Sequence, residues 1–358
     1  AIVIFVNGGA PGEKALVRLT KQNKKYWESE IVMVVSPSKD RVKPPCPVFG
    51  KCGGCDWQHL SYPAQMEAKK DYVLFQLEKS LKMQKSTLEE KLTLHPAKNP
   101  FNYRARVQVR GNAKGLGFFG RGSNDLIKVE KCAVVRPEIQ ETWETFARTR
   151  PLPELAGKAG QFKVEWSLTE TGQIHESLNK DHAAIGFTQI NPEQNNVLQD
   201  IVPNSITQCP TKDLLFDLYG GEGNLSRKVK GFAKTYCVDA YNSGTPVTEI
   251  SKTADGLTII NARTREFLLE KSWLHWGKKT PDCVIADPPR NGLEECAEPI
   301  AKLGAQNVIL VSCDPNTLAR DLAAFITKYT VTAIHVLDMF PQTHHIETVV
   351  HLTKTSNS

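Results

Sequence analysis

Asp213-Leu214-Leu215-Phe216-Asp217-Leu218-Tyr219-Gly220-Gly221-Glu222-Gly223-Asn224 is the stretch that decides the fold. Its first half is a short apolar run, the mark of a strand buried on both faces, and its second half is a glycine-rich turn. A strand, such a turn and then a helix open a doubly wound α/β sheet. The glycines let the backbone approach a ligand, and the helix N-terminus favours polar or anionic groups. Downstream, strand-like runs near 234–239, 257–260, 282–286, 307–312 and 331–337 alternate with helix-like segments. That alternation predicts a parallel, Rossmann-like sheet over residues 189–358. Asp239 closes the second of these strands, 22 residues after Asp217. A carboxylate there can accept both hydroxyls of a ribose, which suits S-adenosylmethionine (SAM) or NAD.

Two later strand ends carry more chemistry. Asp287-Pro288-Pro289-Arg290 follows Cys283-Val284-Ile285-Ala286 at the carboxyl edge, where open α/β sheets bind ligands. The prolines keep the chain extended and stop a helix from starting. Beside a SAM site such a motif handles the acceptor and the methionine end of the cofactor, which moves the balance from NAD to SAM. Val311-Ser312-Cys313-Asp314-Pro315 ends the next strand, so Cys313 is expected in the same crevice. The helix-like segment 316–326 begins just after it, and its positive end is expected to lower the thiol pKa. Uracil C5 is not nucleophilic. Addition of a thiolate at C6 makes it so, and a base must then take the C5 proton so that the thiolate can leave. Glu347, at the start of the alternating strand His345-Ile346-Glu347-Thr348-Val349-Val350, is the candidate base. Cytosine C5 methylation would use the same thiolate logic.

The N-terminal part has a different character. Residues 1–40 alternate apolar and polar in short bursts broken by Asn7-Gly8-Gly9 and Pro11-Gly12, the pattern of a small β-barrel. Residue 1 falls inside a strand-like run with no basic lead and no cleavage site, so no signal peptide is expected there. A cytoplasmic protein without a membrane span follows, and a monomer is expected. Residues 41–188 hold a Pro-, Gly- and Cys-rich loop, a helical stretch over 63–91 and strand-like pieces at 105–109 and 162–166. Residues 1–110 carry 19 Lys and Arg against 10 Asp and Glu, whereas the remainder carries 26 against 29. A basic N-terminal third suits a polyanion such as RNA. Phe101, Tyr103, Arg104 and Arg106 could hold RNA by stacking and phosphate contacts, or could simply pack as a strand with exposed arginines.

Nine cysteines, an odd number in a large chain without an export signal, point to metal binding or catalysis rather than disulfides. Cys46, Cys52 and Cys55 are closely spaced, and Gly53 and Gly54 between thiolates allow several sulfurs to converge. Zinc and an iron–sulfur cluster are both compatible with that spacing. Cys209, Cys237, Cys283 and Cys296 read as ordinary buried residues.

Taken together, these motifs resemble the RNA uracil-C5 methyltransferase family, in its branch with an iron–sulfur cluster, over nearly the whole chain. The resemblance implies a TRAM-like β-barrel (1–40, lacking its first strand), a cluster-bearing central domain (41–188) and a SAM-dependent methyltransferase domain (189–358). Phe187-Thr188-Gln189-Ile190-Asn191 is similar to the family's Phe-x-Gln-x-Asn segment. It implies that Gln189 contacts SAM and Phe187 stacks on a flipped uracil. Tyr219, Gly221, Asn224, Asp239 and Asp287 match SAM contacts. Cys313, within Ser-Cys-Asp-Pro-x-Thr-Leu-Ala-Arg-Asp, matches the nucleophile and Glu347 the base. Cys132 is implied as fourth ligand, with Cys46, Cys52 and Cys55, to a [4Fe–4S] cluster. The implied substrate is RNA, 23S rRNA ahead of tRNA. The sequence departs from the family in three places. Gly220 stands where Cys is common, residues 240–256 match poorly, and Arg263 follows the third strand where an acidic or amide residue commonly meets the adenine. A non-catalytic iron–sulfur RNA-binding protein is the alternative that these departures keep open.

Overall fold

The computed structural model describes residues 2–179, 189–206, 209, 211–240, 248–253, 256–271, 273–274 and 280–355. The chain divides into two compact units, neither continuous in sequence. One comprises 1–67, 98–192 and 340–344; the other comprises 68–97, 193–339 and 345–358.

The first unit contains two sheets. Val3–Asn7, Lys14–Gln22 and Tyr26–Ser36 form a three-stranded sheet in the order first, third, second, open among the described residues rather than closed as a barrel. The second sheet is antiparallel, in the order Leu126–Lys128, Gly115–Phe119, Arg106–Asn112, Phe162–Leu168, Ile174–Leu178. Helix Pro137–Thr149 repeats apolar residues at helical spacing, so Ile139, Trp143 and Phe146 fall on one buried face. They pack with Val107, Val109, Val164 and Trp166 in a separate core. Trp143 stacks on Trp166 at 6.1 Å between ring centroids.

The second unit is built on a nine-stranded sheet. Its order is Thr248–Lys252, Leu257–Asn261, Lys234–Asp239, Leu214–Leu218, Cys283–Ala286, Asn307–Ser312, Glu347–Lys354, Tyr329–Leu337, Leu92–His95. The five strands from Leu257–Asn261 to Asn307–Ser312 are mutually parallel. Glu347–Lys354 then runs antiparallel to both of its neighbours. The parallel strands are buried on both faces, which is why they read as unbroken apolar runs. Strand order reverses at Leu214–Leu218, and in sheets of this kind ligands bind beyond the carboxyl ends of the strands at that point, here Leu214–Leu218 and Cys283–Ala286.

One expectation fails. No α-helix follows the glycine-rich turn; only a three-residue 3-10 turn, Ser226–Lys228, stands there. The run is bounded by Gly223 and Gly231, both with left-handed φ, and returns at once to the Lys234–Asp239 strand. The turn therefore has no helix dipole behind it. No helix among the described residues is long and apolar enough to cross a membrane.

Candidate active site and a four-cysteine cavity

The sheet register assembles the crevice. Ala286 pairs with Leu218 on one side and with Leu310 on the other, so two strands end at Tyr219 and Asp287, level with Val311 in the third. Ser312 pairs with Thr348 in the antiparallel ladder. Continued by one residue, that ladder sets Cys313 opposite Glu347. Residues 34 apart in sequence thus become cross-strand neighbours at the carboxyl edge, with Asp287 on the adjoining strand end.

Electrostatics at this edge are unusual. Asp217 is fully buried, and neither of its carboxylate oxygens has a hydrogen-bond partner at ordinary geometry. Burial pushes its pKa up to about 6. Asp287 is raised to about 7, first by burial and then by repulsion from Asp217 and Asp239. Glu347 is raised well above the carboxylate range by burial and by Asp287. Cys313 is pushed up to about 11 by burial, then by Glu347, with Arg290 opposing.

The thiol therefore moves against the direction expected from the helix following it. That helix, Pro315–Leu322, is capped by Asp314, whose carboxylate accepts from the Asn316 amide at 2.8 Å. The cap takes up one of the free helix amides and adds a negative charge beside Cys313. Burial and carboxylates outweigh the dipole of so short a helix.

The other candidate residues divide. Asp239 accepts from the amides of Gly221 at 2.8 Å and Ala240 at 2.6 Å, which fixes its carboxylate at the edge of the turn. Asn224 exchanges hydrogen bonds with Asn195 at 2.9 and 3.1 Å and accepts from Gln199 at 2.9 Å. Its side chain therefore anchors the turn to helix Pro192–Ser205. Tyr219 adopts a left-handed backbone, φ 59°, and its raised hydroxyl pKa reflects burial and the nearby Cys296 thiol. Gln189 belongs to the first unit, and Phe187 lies outside the described residues. Arg263 caps helix Thr264–Glu270 and pairs with Glu266 at 3.8 Å on the surface. Gly220 has a local cause: a Cβ there would lie 2.6 Å from the Cys237 sulfur and 2.7 Å from the Asp217 carboxyl carbon. The sulfur of the neighbouring strand fills the space that the family's common cysteine side chain would need at this position. Asp217 itself was missed in the sequence, although a carboxylate inside an apolar strand was the available signal.

In the first unit, Cys46, Cys52, Cys55 and Cys132 line one cavity of about 430 Å³, with Arg104, Gln108, Phe118 and Arg121. Among the described residues, no three His, Cys, Asp or Glu side chains close up as ligands of a single metal ion. Burial raises the thiols of Cys52 and Cys132 and pushes Cys55 to about 12. Cys55 is raised further by the other three thiols, whereas Arg104 pulls Cys52 and Cys132 down. Glutamines hold the ring in place: Gln58 accepts from the Cys46 amide at 3.2 Å, and Gln140 from the Cys132 amide at 3.0 Å. Cys209, Cys237, Cys283 and Cys296 are buried, as expected. Tyr103 is also buried, with its hydroxyl donating to Pro341 O at 3.1 Å, and Arg106 is paired with Glu165 at 2.7 Å. These two are therefore spent on internal structure and are corrected from the RNA-contact expectation.

Comparison with known proteins places this geometry in a family. Residues 169–355 match the family model described as tRNA (uracil-5-)-methyltransferase, and the chain belongs to that family. It is an RNA uracil-C5 methyltransferase by membership. An uncharacterised RNA methyltransferase of Bdellovibrio bacteriovorus is 28% identical, with 98% of this chain and 89% of the relative covered. A 23S rRNA (uracil(1939)-C(5))-methyltransferase of a Marinomonas species is 27% identical, with 98% and 90% covered. The crystal structure of the Pyrococcus abyssi tRNA (uracil-54, C5)-methyltransferase, solved with S-adenosyl-L-homocysteine, superposes with a TM-score of 0.67. It is 18% identical and covers 98% of this chain and 96% of its own, which establishes the shared fold.

Proposed function

We propose that this chain methylates C5 of a uridine in 23S rRNA, with SAM as methyl donor and Cys313 as covalent nucleophile. The observation that carries the reading is the end of the antiparallel ladder at Ser312 and Thr348, next to Cys313 and Glu347, together with the rise that Glu347 and Asp287 impose on the Cys313 thiol. SAM supplies the methyl group together with sulfonium and ammonium charges. Buried carboxylates without cationic partners, Asp217 above all, fit such a guest, because a cation relieves their mutual repulsion.

The residues then act in sequence. The Cys313 thiol gives up its proton to solvent, the thiolate forms a bond to uracil C6, and the electron pair displaced from the C5–C6 double bond is held as an enolate. C5 takes the methyl group, Glu347 removes the C5 proton, and the electrons of that C–H bond restore the double bond as the Cys313 sulfur departs. Once the positive charge in the crevice is spent, repulsion from Asp287 raises the proton affinity of Glu347. The base thus strengthens at the step that needs it. Access of Cys313 to a base in folded RNA requires that base to be flipped out.

The four thiols suit a [4Fe–4S] cluster better than zinc. They ring a cavity instead of closing on one point, and arginines beside them favour a net negative guest. The cluster would support structure or RNA binding, since the steps above move no net electrons. The preference for 23S rRNA rests on the Marinomonas relative and on this cysteine set. Labelled SAM offered to unmodified 23S rRNA and tRNA in parallel, followed by nucleoside analysis, tests the reading. Label in 5-methyluridine from 23S rRNA alone is expected. Label in tRNA would move the substrate, and label in 5-methylcytidine would overturn the base assignment.

A further inference from the structure

The helix that begins after Cys313 is tied to the loop that begins after Asp287, and the tie is made by two adjacent residues. Asp321 is 4% exposed although it carries a carboxylate. One of its oxygens accepts from the Leu293 amide at 2.6 Å, and the other accepts from Arg320 Nε at 2.8 Å. Arg320 donates through Nη2 to the Asn291 carbonyl at 2.7 Å. The loop is thereby held on both sides of Gly292. That glycine has φ 77°, and any Cβ there would collide with Asp321, Arg320 and Thr317. The loop backbone rests directly on the helix with no room for a side chain between them. Its other end is closed by the Gly292 amide donating to Pro289 O at 2.8 Å, so Asp287-Pro288-Pro289-Arg290 cannot shift independently. At its own start the helix is fixed to the Cys313 turn by Asp314, which accepts from Asn316, and by Thr317, whose hydroxyl donates to Asp314 O at 3.0 Å.

We propose that Asp321 and Arg320 are positioning residues for methyl transfer: they clamp the Asp287–Arg290 loop onto the Cys313 helix, so that the nucleophile, Asp287 and Arg290 move as one rigid group. The proposal rests on Cys313 being the nucleophile. Neither residue faces the reacting atoms. Their contribution is the alignment of two strand ends that carry opposite influences on the thiol, since Arg290 favours its charged form and Asp287 disfavours it. A displacement of about 1 Å at such a junction can cost on the order of 100-fold in rate.

Three variants are compared with the wild type and with Cys313→Ala. Asp321→Ala removes the hold on the Leu293 amide and the carboxylate that steadies Arg320, leaving only Arg320 on the Asn291 carbonyl. Asp321→Asn keeps an acceptor for the Leu293 amide. Arg320→Lys cannot reach Asp321 and Asn291 together through a planar fork. The readouts are kcat and KM on RNA, the melting temperature, and the pH profile of Cys313 alkylation by iodoacetamide, followed on the Cys313 peptide by mass spectrometry without RNA or SAM. Asp321→Ala is expected to lose about 10- to 100-fold in kcat with KM within about twofold. Its alkylation midpoint should move to lower pH, because the opened loop exposes the thiol. Asp321→Asn should recover most of both. If Asp321→Ala does not fold, Arg320→Lys carries the test, with the same direction and a smaller size. Variants with wild-type kcat and an unmoved alkylation profile, alongside an inactive Cys313→Ala, would overturn the clamp and leave the nucleophile standing. An active Cys313→Ala would overturn the mechanism instead.

Discussion

Cys46, Cys52, Cys55 and Cys132 in one unit, and Asp217, Asp239, Asp287 and Glu347 in the other, are both groups of four acids gathered where water is scarce. In each, burial and mutual repulsion raise the proton affinity of several members. Each is therefore a site waiting for positive charge. They differ in the atom that meets it. Thiolate sulfur is soft and bonds covalently to iron or zinc, whereas carboxylate oxygen meets an organic cation through charge and hydrogen bonds alone. The supports differ too. The thiols stand on loops held by glutamines. The carboxylates stand in or at the ends of strands of the nine-stranded sheet.

Cys313 is the exception that sharpens this contrast, a thiol placed among carboxylates. Its task is to bond carbon, not metal. Replacing it with alanine is expected to lower methylation by about 10⁴-fold or more while SAM affinity stays within about twofold. Isothermal titration with SAM and a single-turnover assay on RNA measure the two quantities. An active variant would mean that the thiol only fills space.

The contrast breaks most directly at Cys55. Cys55→Ser removes the thiol with the largest rise in its group, and is expected to lower bound iron about 10- to 100-fold. The crevice should be untouched, with SAM affinity unchanged. Iron determined by colorimetry on anaerobically purified protein, set against the same titration, checks both halves. A variant that retains full iron would remove Cys55 from the ligand set.

Much of this was legible in sequence because it depends on local patterns. Leu214–Leu218, Cys283–Ala286 and Asn307–Ser312 are apolar nearly throughout, and each runs into a short motif, at Tyr219, Asp287 and Cys313. What failed to show was long-range or energetic. The missing helix after Gly223 goes with the left-handed glycines at both ends of that run. The sign of the Cys313 shift depended first on burial, then on Glu347, neither of which is set by local spacing. The reciprocal bonds between Gln65 and Gln342, 277 residues apart, belong to the same class. Both glutamines are buried, and Gln342 holds a left-handed φ of 69° while its carbonyl accepts from the Asp56 and Trp57 amides beside Cys55. Nothing local distinguishes them from surface glutamines.

The smallest effect expected is also the one that most directly tests whether the crevice is a cation site. Asp287 sits at about 7 because burial and its acidic neighbours disfavour its charge. A raised carboxylate binds a proton in the folded state that the unfolded chain has already released near pH 4. Without ligand, the contribution of Asp287 to stability is thus fully present below that unfolded value and is lost as pH rises toward 7. A cationic ligand reverses the preference, because it binds the ionised carboxylate. SAM affinity should therefore be high above pH 7 and fall by roughly tenfold for each pH unit below it, until other groups protonate. The melting-temperature gain with SAM should accordingly be larger at about pH 8 than at about pH 6. Asp287→Asn is expected to bind more weakly and to flatten that difference. S-adenosyl-L-homocysteine, which lacks the sulfonium charge, should depend less on pH than SAM in the wild type. Equal pH dependence for the two ligands would mean that the carboxylates recognise only the amino-acid end they share, and the charge of the methyl donor would drop out of the comparison with the cysteine cavity.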